Sequence, residues 1–210
     1  MNKKAVLGIA CSMLLFFGCD SGARNVVPVA IQVDNALTVN DEFVATQQYW
    51  RQFEGQWIFT DGVIRQTSST DYFPLILRED QQYGDLDMSV EFKPLSGHID
   101  ASGGLVFRAQ DRDNYYIVRA NALENNFRLY IFSDGNRHQI ASARVSAPTI
   151  KEFHTIRVVV ESDHIQAYLD GELYLDHYDS TYESGFVGLW TKADSVTDFD
   201  NLHVVGSTVK

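Results

Sequence analysis

Cysteine is nearly absent from this sequence, with only Cys11 and Cys19 among 210 residues. No disulfide framework can hold the fold, so stability has to come from a buried core. Proline is scarce at four residues, and the 14 glycines show no triplet period, which excludes collagen-like and proline-rich architectures. Positive charge is in deficit: 17 Lys+Arg stand against 28 Asp+Glu, a formal net charge of −11. A nucleic-acid partner held by a basic surface is therefore not expected. The longest uncharged apolar run, 5–18, has 14 residues. A bilayer-spanning helix needs about 20. The six histidines show neither H-x-x-x-H nor H-E-x-x-H spacing, which argues against zinc chemistry. There is no G-x-S-x-G elbow, phosphate loop or dinucleotide fingerprint, and no long stretch has helical periodicity.

The start of the chain reads as an address. Lys3 and Lys4 precede the short apolar run, as in a secretory signal. Leu15-Phe16-Phe17-Gly18-Cys19 resembles the lipobox of bacterial lipoproteins, although Phe16 and Phe17 are bulkier than that pattern prefers. The expected organisation is a signal peptide over 1–18, a lipidated N-terminus and tether over 19–40, and one domain over 41–210. Cys11 would leave with the signal, and Cys19 would carry diacylglycerol and palmitate-type chains. Several acyl chains, at about 0.8 kcal/mol per buried methylene, would anchor the exported protein to a membrane of the cell envelope. Asp20 resembles an inner-membrane retention signal, but bacteria read that position differently, and the choice of membrane stays open.

Beyond the tether the chain alternates with period two. Leu86, Met88, Val90 and Phe92 share one strand face, with Asp85, Asp87, Ser89 and Glu91 on the other. Comparable strands are expected at 104–108, 114–121, 127–132, 154–161, 164–169, 172–177, 185–191 and 198–205. Weaker ones are expected at 57–59, 63–66 and 74–77. Turn signals at Thr60-Asp61-Gly62, Ser133-Asp134-Gly135-Asn136, Glu161-Ser162-Asp163 and Asp170-Gly171 suit tight antiparallel hairpins. The expected fold is all-β, a two-sheet antiparallel jelly-roll sandwich. One hairpin can be registered further, with Phe107 opposite Tyr116 and Val106 opposite Ile117. That register puts Leu105, Phe107, Tyr116, Val118 and Ala120 on a core face. It puts Val106, Arg108, Tyr115, Ile117, Arg119 and Asn121 on an opposite face, expected to be open to solvent.

Several segments resemble the concanavalin A-like lectin/glucanase superfamily, of the laminin-G-like kind. They are Phe92-Lys93-Pro94 with Ser96-Gly97, Gly103 to Arg108, Asp113-Asn114-Tyr115-Tyr116, Arg119 to Asn126, Gly188 to Ser195, and Phe199-Asp200-Asn201-Leu202. The nearest branch is the 3-keto-disaccharide hydrolase-like one, over roughly residues 45–206. The resemblance implies a jelly roll with carbohydrate on or near a concave face, and calcium as a structural ion.

Three groups compete as the site. Asp85-x-Asp87-x-x-x-Glu91 has the look of a glucanase acid triad, but begins with Asp where a Glu nucleophile belongs, and a solvated strand face explains it equally. Arg108, Tyr115, Arg119, Asn121 and Asn125 combine an aromatic ring with planar multi-donor groups, as sugar recognition requires, and Glu124 beside them could act as acid or base. A surface ion-pair network is the alternative. Trp190, Lys192 and Asp194 fall on one side of a strand end, Trp190 to stack on sugar or to fill a core. For calcium, Asp111 and Asp113, or Asp198 and Asp200, supply hard oxygens in turns without a recognised loop. The function expected is a lipid-anchored carbohydrate-recognition or interaction domain. The alternatives are a glycoside-cleaving enzyme of the 3-keto-disaccharide hydrolase type, with Glu124 as base, and a structural envelope protein without a small ligand.

Overall fold

The computed structural model describes residues 36–70 and 72–209. The expected signal peptide, most of the tether and the lipidation site Cys19 lie outside the described residues. Among the described residues fourteen strands follow one another with a single turn of 3-10 helix, Gln47–Tyr49. They are β1 (Leu37–Asp41), β2 (Trp50–Glu54), β3 (Trp57–Thr60), β4 (Val63–Gln66), β5 (Leu75–Ser96), β6 (Ser102–Ala109), β7 (Tyr115–Asn121) and β8 (Asn126–Ser133). The remainder are β9 (Asn136–Arg144), β10 (His154–Glu161), β11 (His164–Leu169), β12 (Glu172–Tyr178), β13 (Gly185–Trp190) and β14 (Val196–Val209). Among the described residues no helix is long and apolar enough to cross a membrane.

Every described pairing is antiparallel, and β5 joins two layers. Its first residues pair with β2 and β13, in a sheet that continues β13-β6-β7-β8-β9. Its later residues pair with β10 and β14, in a sheet that runs β12-β11-β10-β5-β14 and ends on β1, β4 and β3. Leu37 to Asp41 of β1, expected in the tether as far as Asn40, pair with Leu202 to Gly206 of β14.

Hairpin turns supply much of this order. Asp61-Gly62, Asp134-Gly135 and Asp170-Gly171 all take positive φ, the geometry that matches strand twist in two-residue loops. The main core sits between the layers: Met88, Val90, Phe92, Ile156, Val158 and Val204 face Leu105, Phe107, Tyr116, Val118, Leu129 and Leu189. Each such side chain, fully buried, contributes roughly 1.5–3 kcal/mol. A second apolar cluster lies on the far side of the first sheet, built on Leu75, Leu77, Val106, Tyr115, Ile117, Tyr130, Phe132 and Trp190. That outer face carries the candidate site.

Candidate functional site

The expected register of β6 with β7 is present, with Phe107 opposite Tyr116 and Val106 opposite Ile117. Tyr115, Ile117, Arg119 and Asn121 therefore share the outer face, and two cross-strand rows organise it. One row runs Trp190, Gly104, Arg119, Arg128 through β13, β6, β7 and β8. The other runs Tyr115, Phe132, Arg137 through β7, β8 and β9. The rows are four residues apart on β7, about 13 Å along an antiparallel strand.

Arg108 does not join them. The register between β13 and β6 shifts between Phe186 and Gly188, and Arg108 takes φ 49° at this bulge. A bulge re-aims the side chain. The Arg108 guanidinium donates to the Gly84 carbonyl at 3.2 Å and the Tyr182 carbonyl at 3.1 Å, and lies 3.4 Å from Asp85. It is a buried cross-link to the β5 side of the molecule, where burial lowers its pKa. The expectation that this face is open to solvent is corrected too: Arg119 is 1 % exposed and Tyr115 2 %. Phe73, shortly before β5, stacks on Trp190 of the same face, with ring centroids 5.5 Å apart.

At one end of the face the polar groups lock together. Buried Asn121 donates to Asp100 at 2.5 Å, while its oxygen accepts from Ala101 N–H at 3.1 Å and Leu123 N–H at 3.0 Å. The Lys192 ammonium donates to the other Asp100 oxygen at 2.5 Å. Lys192 does not pair with Asp194, which instead accepts the backbone N–H groups of His98, Ile99 and Asp100. Burial opposes ionisation of Asp194, but these three donors outweigh it and hold its pKa below the ordinary value. Beside them, Arg119 Nη2 and Asn126 Nδ2 both donate to Glu124 Oε2 at 2.8 Å, and Arg128 Nη1 stands 3.9 Å from it. Burial alone would raise the Glu124 pKa, yet Asn126, Arg119 and Arg128 together hold it down at about 2. Asn125 is exposed and takes no part in holding Glu124; its neighbour Asn126 does.

At the other end the face is aromatic. Tyr115 stacks on Phe132 at 4.4 Å, and Phe132 meets Phe73 edge-on at 5.2 Å. A cavity of about 260 Å³ opens there, floored by Leu75, Tyr115 and Phe132 and rimmed by charged Glu54, Arg112 and Asp113. Trp190 is fully buried with its indole N–H unpartnered.

The acids expected to bind calcium are engaged separately. The Asp111 carboxylate accepts Asp113 N–H at 2.8 Å and the Asn114 amide at 3.0 Å, and Asp198 forms a bidentate pair with Arg65. Among the described residues no three His, Cys, Asp or Glu side chains come together as metal ligands. Asp85, Asp87 and Glu91 face outward from the second sheet and are held apart. Asp87 chelates Arg157, Asp85 accepts Ser162 N–H, and Glu91 accepts from Asn201.

Sequence reasoning missed Phe73, Asp100, Arg128, Tyr130 and Arg137. The period-two order Asn126-x-Arg128-x-Tyr130-x-Phe132 was a usable signal, since it continues the face of β7 across the next strand.

This architecture is that of a concanavalin A-like jelly roll with a covered polar and aromatic outer face. The sequence profile of the family described as the 3-keto-alpha-glucoside-1,2-lyase-like domain matches residues 38–205, and the chain belongs to that family. The chain is also 25% identical over 164 residues to the levanase of Bacillus subtilis strain 168, spanning 76% of this chain but only 23% of the levanase. Among solved structures, the carbohydrate-binding module CBM66 of Bacillus subtilis superposes with a TM-score of 0.68 at 23% identity, over 76% of this chain and 96% of the module. A Bacillus licheniformis beta-glucanase superposes with a TM-score of 0.59 at 13% identity, over 81% of this chain and 98% of the enzyme. At these identities the superpositions establish the fold.

Proposed function

We propose that this protein recognises carbohydrate on the outer face of its first sheet, held at the cell envelope through lipid on Cys19. One observation carries the reading: Glu124, Arg128 and Lys192 keep 35 %, 32 % and 27 % of their side chains exposed while buried partners fix them from beneath. Arg119 holds Glu124, and Asp100 with Asn121 holds Lys192. Groups held this way lose little freedom on binding, and a carboxylate, a guanidinium and an ammonium match the hydroxyl rim of a sugar. Half-buried Phe73, backed by the buried Tyr115 and Phe132 rings, is the accessible part of the aromatic cluster and offers apolar surface to a sugar face. A module described as carbohydrate-binding and a levanase among the similar proteins support the same class of ligand.

Catalysis is supported less well, although the family description names a lyase. Elimination from a 3-keto sugar needs a base whose pKa lies near the working pH. Glu124, held at about 2, is too weak a base to remove a carbon-bound proton efficiently near neutrality. The test is a glycan array followed by calorimetry on the full chain, with 3-keto-glucosides assayed in parallel. Saturable glycan binding that weakens about tenfold or more in Arg128→Gln, at unchanged melting temperature, is the expected result. Silence across neutral and charged glycans removes the reading, and turnover of a 3-keto-glucoside replaces it with the catalytic one.

A further inference from the structure

Three guanidinium groups meet around one phenol. Tyr130 accepts from Arg128 Nη1 at 3.2 Å and from Arg119 Nη2 at 3.5 Å, while the Arg137 guanidinium lies 4.7 Å over its ring. Arg137 lies equally close, 4.7 Å, over Phe73, so two aromatic rings hold its plane. Glu124 serves Arg119 and Arg128, but among the described residues no carboxylate bridges Arg137. Four N–H-bearing nitrogens of these side chains are buried without a partner: Arg119 Nε, Arg119 Nη1, Arg128 Nε and Arg137 Nη1. Arg119 is itself 1 % exposed. With the neighbouring Lys192–Asp100 pair included, four cations stand against two carboxylates, a local positive excess on a protein whose formal net charge is −11. The Tyr130 hydroxyl registers this field. Burial would raise its pKa, but Arg128 and Arg119 bring it below the ordinary value.

Like charges this close repel, and a buried guanidinium N–H without an acceptor carries a desolvation cost. A neutral sugar would satisfy the N–H groups and leave the repulsion. A carboxylate or sulfate relieves both, and the planar guanidinium fork matches either group in two-point geometry. We infer that this face is an anion receptor, and that the glycan it recognises carries a carboxylate or sulfate, with Arg137 selecting for that charge. The glycan part rests on the carbohydrate reading above; the anion receptor does not.

Two measurements test this on the full chain. Low-millimolar sodium sulfate is compared with sodium chloride at equal ionic strength, in the wild-type protein and in Arg137→Gln. Sulfate stabilises proteins generally by exclusion from their surfaces, and that effect is common to both proteins. The inference expects an additional rise in melting temperature in the wild type alone. Should Arg137→Gln not fold, Arg128→Gln takes its place. The second measurement offers uronate-bearing, sulfated and neutral oligosaccharides of matched length. Charged ligands are expected to bind at least about tenfold more tightly than neutral ones, and Arg137→Gln to abolish most of that preference. Whichever charged arm binds identifies the group as carboxylate or sulfate. An identical sulfate response in both proteins, or preference for neutral oligosaccharides, overturns the anion receptor. Neutral binding alone leaves the carbohydrate reading standing without it. A wild-type-specific sulfate response with no glycan binding leaves the receptor and removes the carbohydrate reading.

Discussion

Glu124 and Arg108 show how much a residue's role depends on its donors and acceptors. Glu124 has a folded pKa of about 2 against an ordinary 4.5. Its ion pairs therefore contribute stability that is full above about 4.5 and lost as the pH falls through 2. Melting temperatures of the wild type and Glu124→Gln should differ by a constant amount from pH 8 to 5. The gap should close only on further acidification; closure near neutrality would contradict the geometry. Arg108 is a different case. Its guanidinium satisfies two carbonyls in a buried place, so Arg108→Ala should cost roughly 1–3 kcal/mol of unfolding free energy and leave glycan affinity unchanged. Urea denaturation and calorimetry separate the two effects. Both residues are conspicuous in the sequence as charged groups in a strand or beside one. Whether each faces the ligand was not legible, because a single bulge at the end of β6 turns Arg108 away.

Among the elements, the inner strands followed from local pattern. β10 and β11 fall at 154–161 and 164–169 as expected from alternation, and the turn between them takes its positive φ at Ser162. β2 and β9 were not anticipated. β9 alternates poorly, its side chains being largely exposed at a sheet edge, and a strand with little to bury leaves a weak period-two signal. The cost of that gap is Arg137, which β9 brings onto the site. The 22-residue β5 reads as two strands because Arg78 to Gly84 interrupt the apolar pattern between its two sheets. Close packing of β13 on β5 gives an element-level prediction. A Cβ on Gly188 would overlap the Ile76 carbonyl and the Leu77 side chain, so Gly188→Ala should destabilise by about 1–3 kcal/mol, read as a lowered denaturant midpoint. An unchanged midpoint would mean that β13 sits farther from β5 than described.

At the scale of the whole molecule, the sandwich is one continuous hydrogen-bonded network, with the main core between its layers and a smaller apolar cluster on the first sheet's outer face. The proposed placement of this body on a membrane depends on Cys19. Cys19→Ser should move the protein from the detergent phase to the aqueous phase on cloud-point partitioning and abolish incorporation of labelled palmitate. Equal partitioning of both proteins would dismiss the anchor. The sequence alone determined the all-β class, most strand positions, the Asp-Gly hairpins and the register of β6 on β7. Each of these depends on residues a few positions apart, where alternation and positive φ act directly. Only the tertiary structure decided that Asp100 meets Lys192, that Phe73 covers Trp190, and that three arginines from β7, β8 and β9 gather on Tyr130. Those meetings depend on long-range packing and on where a bulge or a crossing loop turns a side chain, and neither leaves a periodic trace along the chain.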